Sequence, residues 1–414
     1  MILPLAILLL AGQVEPDCVR VTRAGGCVRA NGRSGAGFAF FEAFPISGAG
    51  TVSACSSTSP TGAKGETLTT ARASGATCNS NPAGGTLTTG IPNATLVELG
   101  SNVPLQEYGV PGWLGVRSQL SRQNVLVRFI DYTNGAWADV GTPTPTGSQT
   151  SPFTGTYATS AVLYDDNDGA AFEGRTQTVT VSAGVAHTMH CYVKAGTLNR
   201  ARLSLDGTTV NITGLSSSTW SIVSVTDASS SGVAIAAQVL NGDAAADTGT
   251  VIWGGCQVEA ASDFTSIIPT VAAAVTRAAE TLSFAGVTWP TSASISMAAS
   301  YIGTTPASGS AATVLEFTGL ASILNESSGS WRWFSGAVPQ VVAITSSAAG
   351  VRTYGWHDGA TRGMAWASNT AGPTADVNAA NKFGATLFIG GSAGNRPNGI
   401  IYGVKVDPDA TRAR

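Results

Sequence analysis

The side chains able to do chemistry are few and scattered. The 414-residue chain has only three histidines. His187 and His190 stand three apart in AHTMHCYVK, a run that reads as a strand. That spacing puts them on opposite faces, so they cannot share one metal ion or one proton relay. His357 lies beside Asp358 in a YGWHDG turn, and no G-x-S-x-G nucleophile elbow occurs anywhere. Glu173, Glu259, Glu280 and Glu316 occur singly, whereas glycoside hydrolysis needs two carboxylates flanking one bond. These patterns point away from an enzyme.

One turn is richer. YDDNDGAAFE carries Asp165, Asp166 and Asp168. Carboxylate oxygens on a turn suit a hard cation such as Ca²⁺. The EF-hand spacing is not met. A structural calcium site and a solvated Asx-rich turn both stay open, the second being commoner for such residues. No other cofactor is expected.

The aromatic residues offer a different chemistry. Trp331 and Trp333 in WRWF would share one face of a strand, as would Tyr354 and Trp356 in YGW. Exposed rings stack on the C–H faces of sugars. The four are therefore candidate carbohydrate-binding residues; the alternative is that they fill the space between two sheets. Trp253 is expected in a core.

Six cysteines, Cys18, Cys27, Cys55, Cys78, Cys191 and Cys256, show no CxxC and no zinc spacing. Cys18–Cys27 and Cys55–Cys78 would close local loops, and Cys191 with Cys256 would join two strands of one domain. Buried free thiols are the alternative. Disulfides would fit a protein working outside the cell.

The elements that must position these residues are short strands. Charged residues are 11% and hydrophobic residues 43%, a balance opposite to that of disordered chains. Val, Ile, Leu, Phe and Trp recur in clusters between Gly, Pro, Asn and Ser, with no long amphipathic helix. The fold class is all-β. A net charge of -3 gives no basic face, so no nucleic acid partner is expected. The arginines Arg20, Arg23, Arg29 and Arg33 are expected to pair locally. Residues 1–112 read as an N-terminal arm with an irregular β region. Residues 113–270 read as one β-sandwich with strands at 125–130, 159–164, 175–182, 186–194, 200–205, 219–226, 233–240 and 250–258. Residues 271–414 read as a second sandwich. The apolar Met1–Gly12 is too short to cross a membrane and serves as an assembly anchor or a signal-like segment.

Three stretches add a resemblance. WGGCQVEAASDFTSIIPTVAAAVTRAAETLSF, Trp253–Phe284, resembles the W-G-A-Q-x-E…T-S-Y-I-P-T…V-T-R-A-A-D segment that closes a lectin-like jelly-roll module in structural proteins of tailed phages and prophages. GVRSQLSRQNVLVRFIDYTNGAWADVGTPTPT resembles the module's opening, departing from it at Gln119–Asn124. TQTVTVSAGVAHTMHCYVKAGTLNRARLSL resembles its centre. LFIGGSAGNRPNGIIYGVKVDPDA resembles the last two strands of a laminin-G/concanavalin A-like domain, with Gly390, Gly391 and Gly394 allowing positive φ. Catalytic relatives of that second fold carry E-x-D-x-x-E on one strand, which this chain lacks.

The resemblance implies a non-enzymatic virion protein on the exterior of a phage particle, in a tail fibre, tail tip or head spike. Its N-terminal region would attach to other virion proteins, and its jelly-roll, lectin-like sandwiches would meet host surface glycans. A homo-trimer is expected, because β-rich chains cover one another's edges. The alternatives are a secreted or cell-surface bacterial adhesin and, further off, a polysaccharide-degrading enzyme.

Overall fold

The computed structural model describes residues 119–285 continuously. On either side it describes strands between residues 18 and 118 and between 294 and 407, with a few residues beside them. Apart from a 3-10 turn at Gly155–Tyr157, every regular element among the described residues is a strand. Neighbouring strands run antiparallel.

The central sandwich has two five-stranded sheets. One runs Ala138–Val140, Gly174–Thr180, Ala234–Asn241, Arg200–Leu205, Thr208–Thr213. The other runs Thr144–Gln149, Ala161–Asp166, Gly249–Glu259, His187–Ala195, Ser221–Asp227. Alternation makes the core: Gln177 and Val179 are buried while Thr178 and Thr180 are exposed. Val179, Leu203 and Val239 of one sheet meet Tyr164, Met189 and Trp253 of the other in a single apolar cluster. Trp253 is fully buried, as expected. Cys191 and Cys256 lie directly opposite each other on adjacent strands and form a disulfide.

The expected strand at 125–130 is not one. The strand is Arg122–Asn124, and the VLVRFI run that follows is irregular. Its backbone groups are met by other partners. Val127 exchanges two 2.9 Å hydrogen bonds with the Gln177 amide. Leu126 N–H donates to Asn124 Oδ1, and Thr270 Oγ1 donates to the Leu126 carbonyl. Backbone bonds complete the set: Val125 N–H donates to the Val258 carbonyl, Arg128 N–H to that of Val271, and Cys256 N–H to that of Phe129, so the segment is held without regular strand pairing. Three strands were not expected: Ala138–Val140, Thr144–Gln149 and Thr208–Thr213. They lie at or near sheet edges, where Pro145 and polar residues are tolerated.

The second sandwich draws on both ends of the sequence. A seven-stranded sheet contains Gln340–Ala343, Ser330–Phe334, Ala321–Glu326, Ala311–Phe317, Leu387–Ile389, Thr281–Phe284 and Thr69–Ala71. An eight-stranded sheet contains Asn369–Ala375, Thr361–Trp366, Val351–Asp358, Ser294–Gly303, Gly399–Asp407, Gly112–Ser118 and Gln106–Gly109, with Phe41–Ala43 beside Gly399–Asp407. Leu68, Leu282, Met297, Phe317, Ile389 and Val406 fill the space between them. Gly390 and Gly391 both take positive φ, 78° and 79°. A Cβ on Gly391 would meet Thr313 Cβ at 2.8 Å, so only glycine fits that approach.

Gly112–Ser118, expected to open the central sandwich, is therefore a strand of the second one, with Val116 opposite Ile401. The central sandwich is inserted between strands of the other. The two chain crossings run side by side, Arg122–Asn124 pairing with Val275–Arg277. The N-terminal region also holds two hairpin pairs, Cys18–Val21 with Cys27–Arg29 and Ala76–Asn79 with Leu96–Leu99. Met1–Gly12, Cys55 and the side chains of Cys18, Cys27 and Cys78 lie outside the described residues.

Candidate functional site

A pocket of about 390 Å³ opens on the central sandwich between the 128–133 segment, the Thr144–Gln149 edge strand and the turn at 156–160. That volume falls in the range of small-ligand sites. Tyr157 gives it an aromatic wall; Arg128, Asp131, Thr133, Ser148 and Thr159 supply polar groups at the rim. Beneath Tyr157, Phe129 meets the ring edge-on at 4.9 Å and Phe153 packs against both. The wall is thus backed by a rigid aromatic cluster that also includes Tyr192 and Trp220.

The backbone at this pocket is unusual. The described non-glycine residues with positive φ are Arg128 (54°), Ser148 (62°) and Asp206 (50°), and the first two line the pocket. A left-handed conformation costs a side-chain-bearing residue about 1–2 kcal/mol. Arg128 is held in it by its N–H donating to the Val271 carbonyl at 2.9 Å and by Trp137 Nε1 donating to the Arg128 carbonyl at 3.1 Å. Ser148 lies where the register slips between Thr146 and Gln149, a bulge that re-aims the side chain of an edge strand. Strain of this kind persists where surrounding structure enforces it, and it clusters at ligand sites. No sequence motif marks these residues; Pro145 and Gly147 inside one strand are the available bulge signal.

A second cluster lies at the end of strand Ala161–Asp166. The carboxylates of Asp166, Asp168 and Glu173 come within 4.8 Å of one another. Asp165, grouped with the first two from sequence, is only partly buried and sits on the other face of the strand. Glu173 takes its place, brought round by the Asn167–Phe172 turn. It accepts hydrogen bonds from Thr142 N–H at 2.9 Å and Thr142 Oγ1 at 2.7 Å. Asp166 is 1% exposed, and neither of its carboxylate oxygens accepts a hydrogen bond of good geometry. Burial, then the charge of Glu173, push its pKa up to about 6, while the nearby amides of Glu173 and Asp168 pull the other way.

The Trp253–Phe284 stretch builds a third group, at the junction of the sandwiches. Gln257 accepts from Ile268 N–H, Glu259 accepts from both Thr265 N–H and Thr265 Oγ1, and Asn124 Nδ2 donates to the Ile268 carbonyl. Arg277, fully buried, donates to Gln119 Oε1, to Ser266 Oγ at 2.7 Å and to the Leu120 carbonyl at 3.1 Å. Burial raises the Glu259 pKa; the Thr265 hydrogen bonds and the charges of Arg277 and Arg122 oppose that rise. The residues that carry the resemblance thus bind the chain crossings together.

The histidines do no joint chemistry. His187 and His190 are both buried, because their strand is covered on both faces. His187 Nδ1 is 2.7 Å from Ser230 Oγ. His190 stacks on Phe264 at 4.4 Å, and burial lowers its pKa to about 3.

In strand register, positions 333 and 331 lie opposite Ile323 and Asn325. Positions 354 and 356 lie opposite Ala298 and Ser296. The side chains of Trp331, Trp333, Tyr354 and Trp356 lie outside the described residues.

No family model matches the chain, and no curated protein matches it. Among solved structures, the N-terminal CBM22-1–CBM22-2 tandem domain of Paenibacillus barcinonensis Xyn10C is 10% identical, over 71% of this chain and 98% of that one, with a TM-score of 0.26. Domains LG4-5 of the mouse laminin α1 chain are 9% identical, over 60% of this chain and 89% of that one, with a TM-score of 0.23. At such values the fold and its sites rest on the chain's own geometry.

Proposed function

We propose that this chain is a non-enzymatic virion structural protein of a tailed phage, in a tail fibre, tail tip or head spike, that presents its β-sandwiches to host surface glycans. The observation carrying the glycan reading is the Tyr157 pocket. It joins one aromatic wall, a rim of hydroxyl, guanidinium and carboxylate groups, and two residues held in left-handed backbone. A sugar offers the complement: an apolar C–H face for the ring and hydroxyls for Arg128, Asp131 and Ser148. A second platform on the other sandwich belongs to the same reading, built from the strand residues Trp331, Trp333, Tyr354 and Trp356. The particle setting is supported by the wording of Trp253–Phe284 alone. Attachment through the N-terminal region and assembly as a homo-trimer belong to the same reading.

The experiment is binding of the full chain to a panel of bacterial surface polysaccharides, alongside Tyr157→Ala and Trp356→Ala. Saturable binding lost in either variant supports the reading. Binding to no polysaccharide, or release of reducing ends from one, overturns it. Antibody to the chain should label purified particles, and native mass should correspond to three copies. A bacterial surface adhesin is the second reading; a mature protein cleaved at about residue 12, or labelling of uninfected cells, would select it.

A further inference from the structure

Buried carboxylates need compensation. Asp166 is 1% exposed and Glu173 fully buried, with Asp168 closing the group from the surface side. Among the described residues, none of the ion pairs reaches these three. The neighbouring guanidinium, Arg175, is committed to Asp139 at 2.8 Å and to the Trp137 carbonyl at 3.1 Å. Glu173 is supplied with hydrogen bonds, but the two oxygens of Asp166 have none of good geometry. A second unsatisfied oxygen lies on the strand next to Glu173. Asn241 Nδ2 donates at 3.2 Å to the carbonyl of Gly249, the residue opposite Asp166, and its Oδ1 is buried without a partner. Two buried acidic side chains, one of them with both oxygens unsatisfied, thus converge with an exposed carboxylate within 4.8 Å.

We propose that Asp166, Asp168 and Glu173 form a binding site for a divalent cation of the calcium type. Calcium accepts six to eight oxygen ligands in irregular geometry, and an arrangement of mixed carboxylates on a turn suits it better than the strict octahedron of magnesium. The position gives the ion a structural task. Asp166 ends a strand of one sheet and Glu173 leads directly into Gly174–Thr180 of the other. A cation bound to both would clip the two sheets at that end. The proposal does not rest on glycan binding, and its failure would leave the pocket untouched.

The test uses the full chain freed of metal by chelation, with Ca²⁺ alone as probe. Thermal unfolding of the unmodified protein should shift up by several degrees and saturate with added Ca²⁺. Asp166→Asn and Glu173→Gln should remove that shift, while Asp165→Asn, on the other strand face, should keep it. Asp166→Asn relieves repulsion and so is expected to fold; terbium luminescence sensitised by nearby Tyr164 gives a second readout that needs no unfolding. Absence of any shift and of terbium signal in the unmodified protein would overturn the site. So would a calcium shift of equal size in Asp166→Asn.

Discussion

Two of the clusters in which the central sandwich buries polar groups treat them oppositely. At the junction, Arg277 is surrounded by Gln119, Ser266 and the Leu120 carbonyl, and Glu259 by both donors of Thr265. Unlike charges share that space, and the hydrogen bonds are made within the chain. At the far end of strand Ala161–Asp166, like charges are gathered and one carboxylate has no good donor. A self-satisfied network is architecture: it fixes where the chain enters and leaves a domain. A self-repelling one is a demand for something from outside. The contrast separates residues that specify a fold from residues that await a ligand, although both are polar and equally hidden.

The largest expected effect breaks the first cluster. Arg277→Ala removes one member of a buried charged network and should cost about 3–5 kcal/mol in denaturant unfolding. A loss below about 1 kcal/mol would mean that the crossings are held by strand pairing alone. Next comes His190, buried without any opposite charge. Its folded pKa, about 3, is below the unfolded value of 6.5, so its contribution is complete above pH 6.5 and is lost as pH falls toward 3. The difference in stability between the unmodified protein and His190→Gln should change by up to about 1.4 kcal/mol per pH unit across that window. A flat difference would show that the imidazole is hydrated. In the second cluster the sign reverses. Without added metal, Asp166→Asn should raise stability by about 1–3 kcal/mol at neutral pH, because it deletes a buried like charge. A destabilised Asp166→Asn would put the carboxylate in the satisfied class. The smallest effect concerns the pocket: Tyr157→Ala should weaken glycan binding roughly ten-fold, about 1.4 kcal/mol, read by titration with the polysaccharide found in the panel.

Much of this fold is legible in the residues. Strict alternation in Gln177–Val181 and the apolar runs around Cys191 and Trp253 locate their strands to within a residue or two, and a buried Trp253 follows from its setting. The Cys191–Cys256 bond follows from two facing strands. What fails is whatever depends on partners distant in sequence. VLVRFI has ideal strand composition, yet its pairing is divided between the Gln177 side chain, fifty residues on, and the backbones of Val258, Thr270 and Val271. Thr208–Thr213 is a polar edge strand without an apolar face to mark it, and its one local signal is the Asp206-Gly207 hairpin turn, with φ of 50° and 82°. Asp165 and Asp166 look equivalent in a list of acids; only the strand's pleat tells them apart, and only the return of the chain brings Glu173 to them. The pocket was invisible because its makers, Arg128, Ser148 and Tyr157, belong to three separate segments and match no motif.

The side-by-side crossings have one further consequence. Because Arg122–Asn124 and Val275–Arg277 run as neighbours, the 119–277 body leaves and rejoins its carrier at one place. Such a body behaves as a cassette. Another module with the same two-strand stem could be grafted in its place, and the carrier would keep its own stacked layers while acquiring a different specificity.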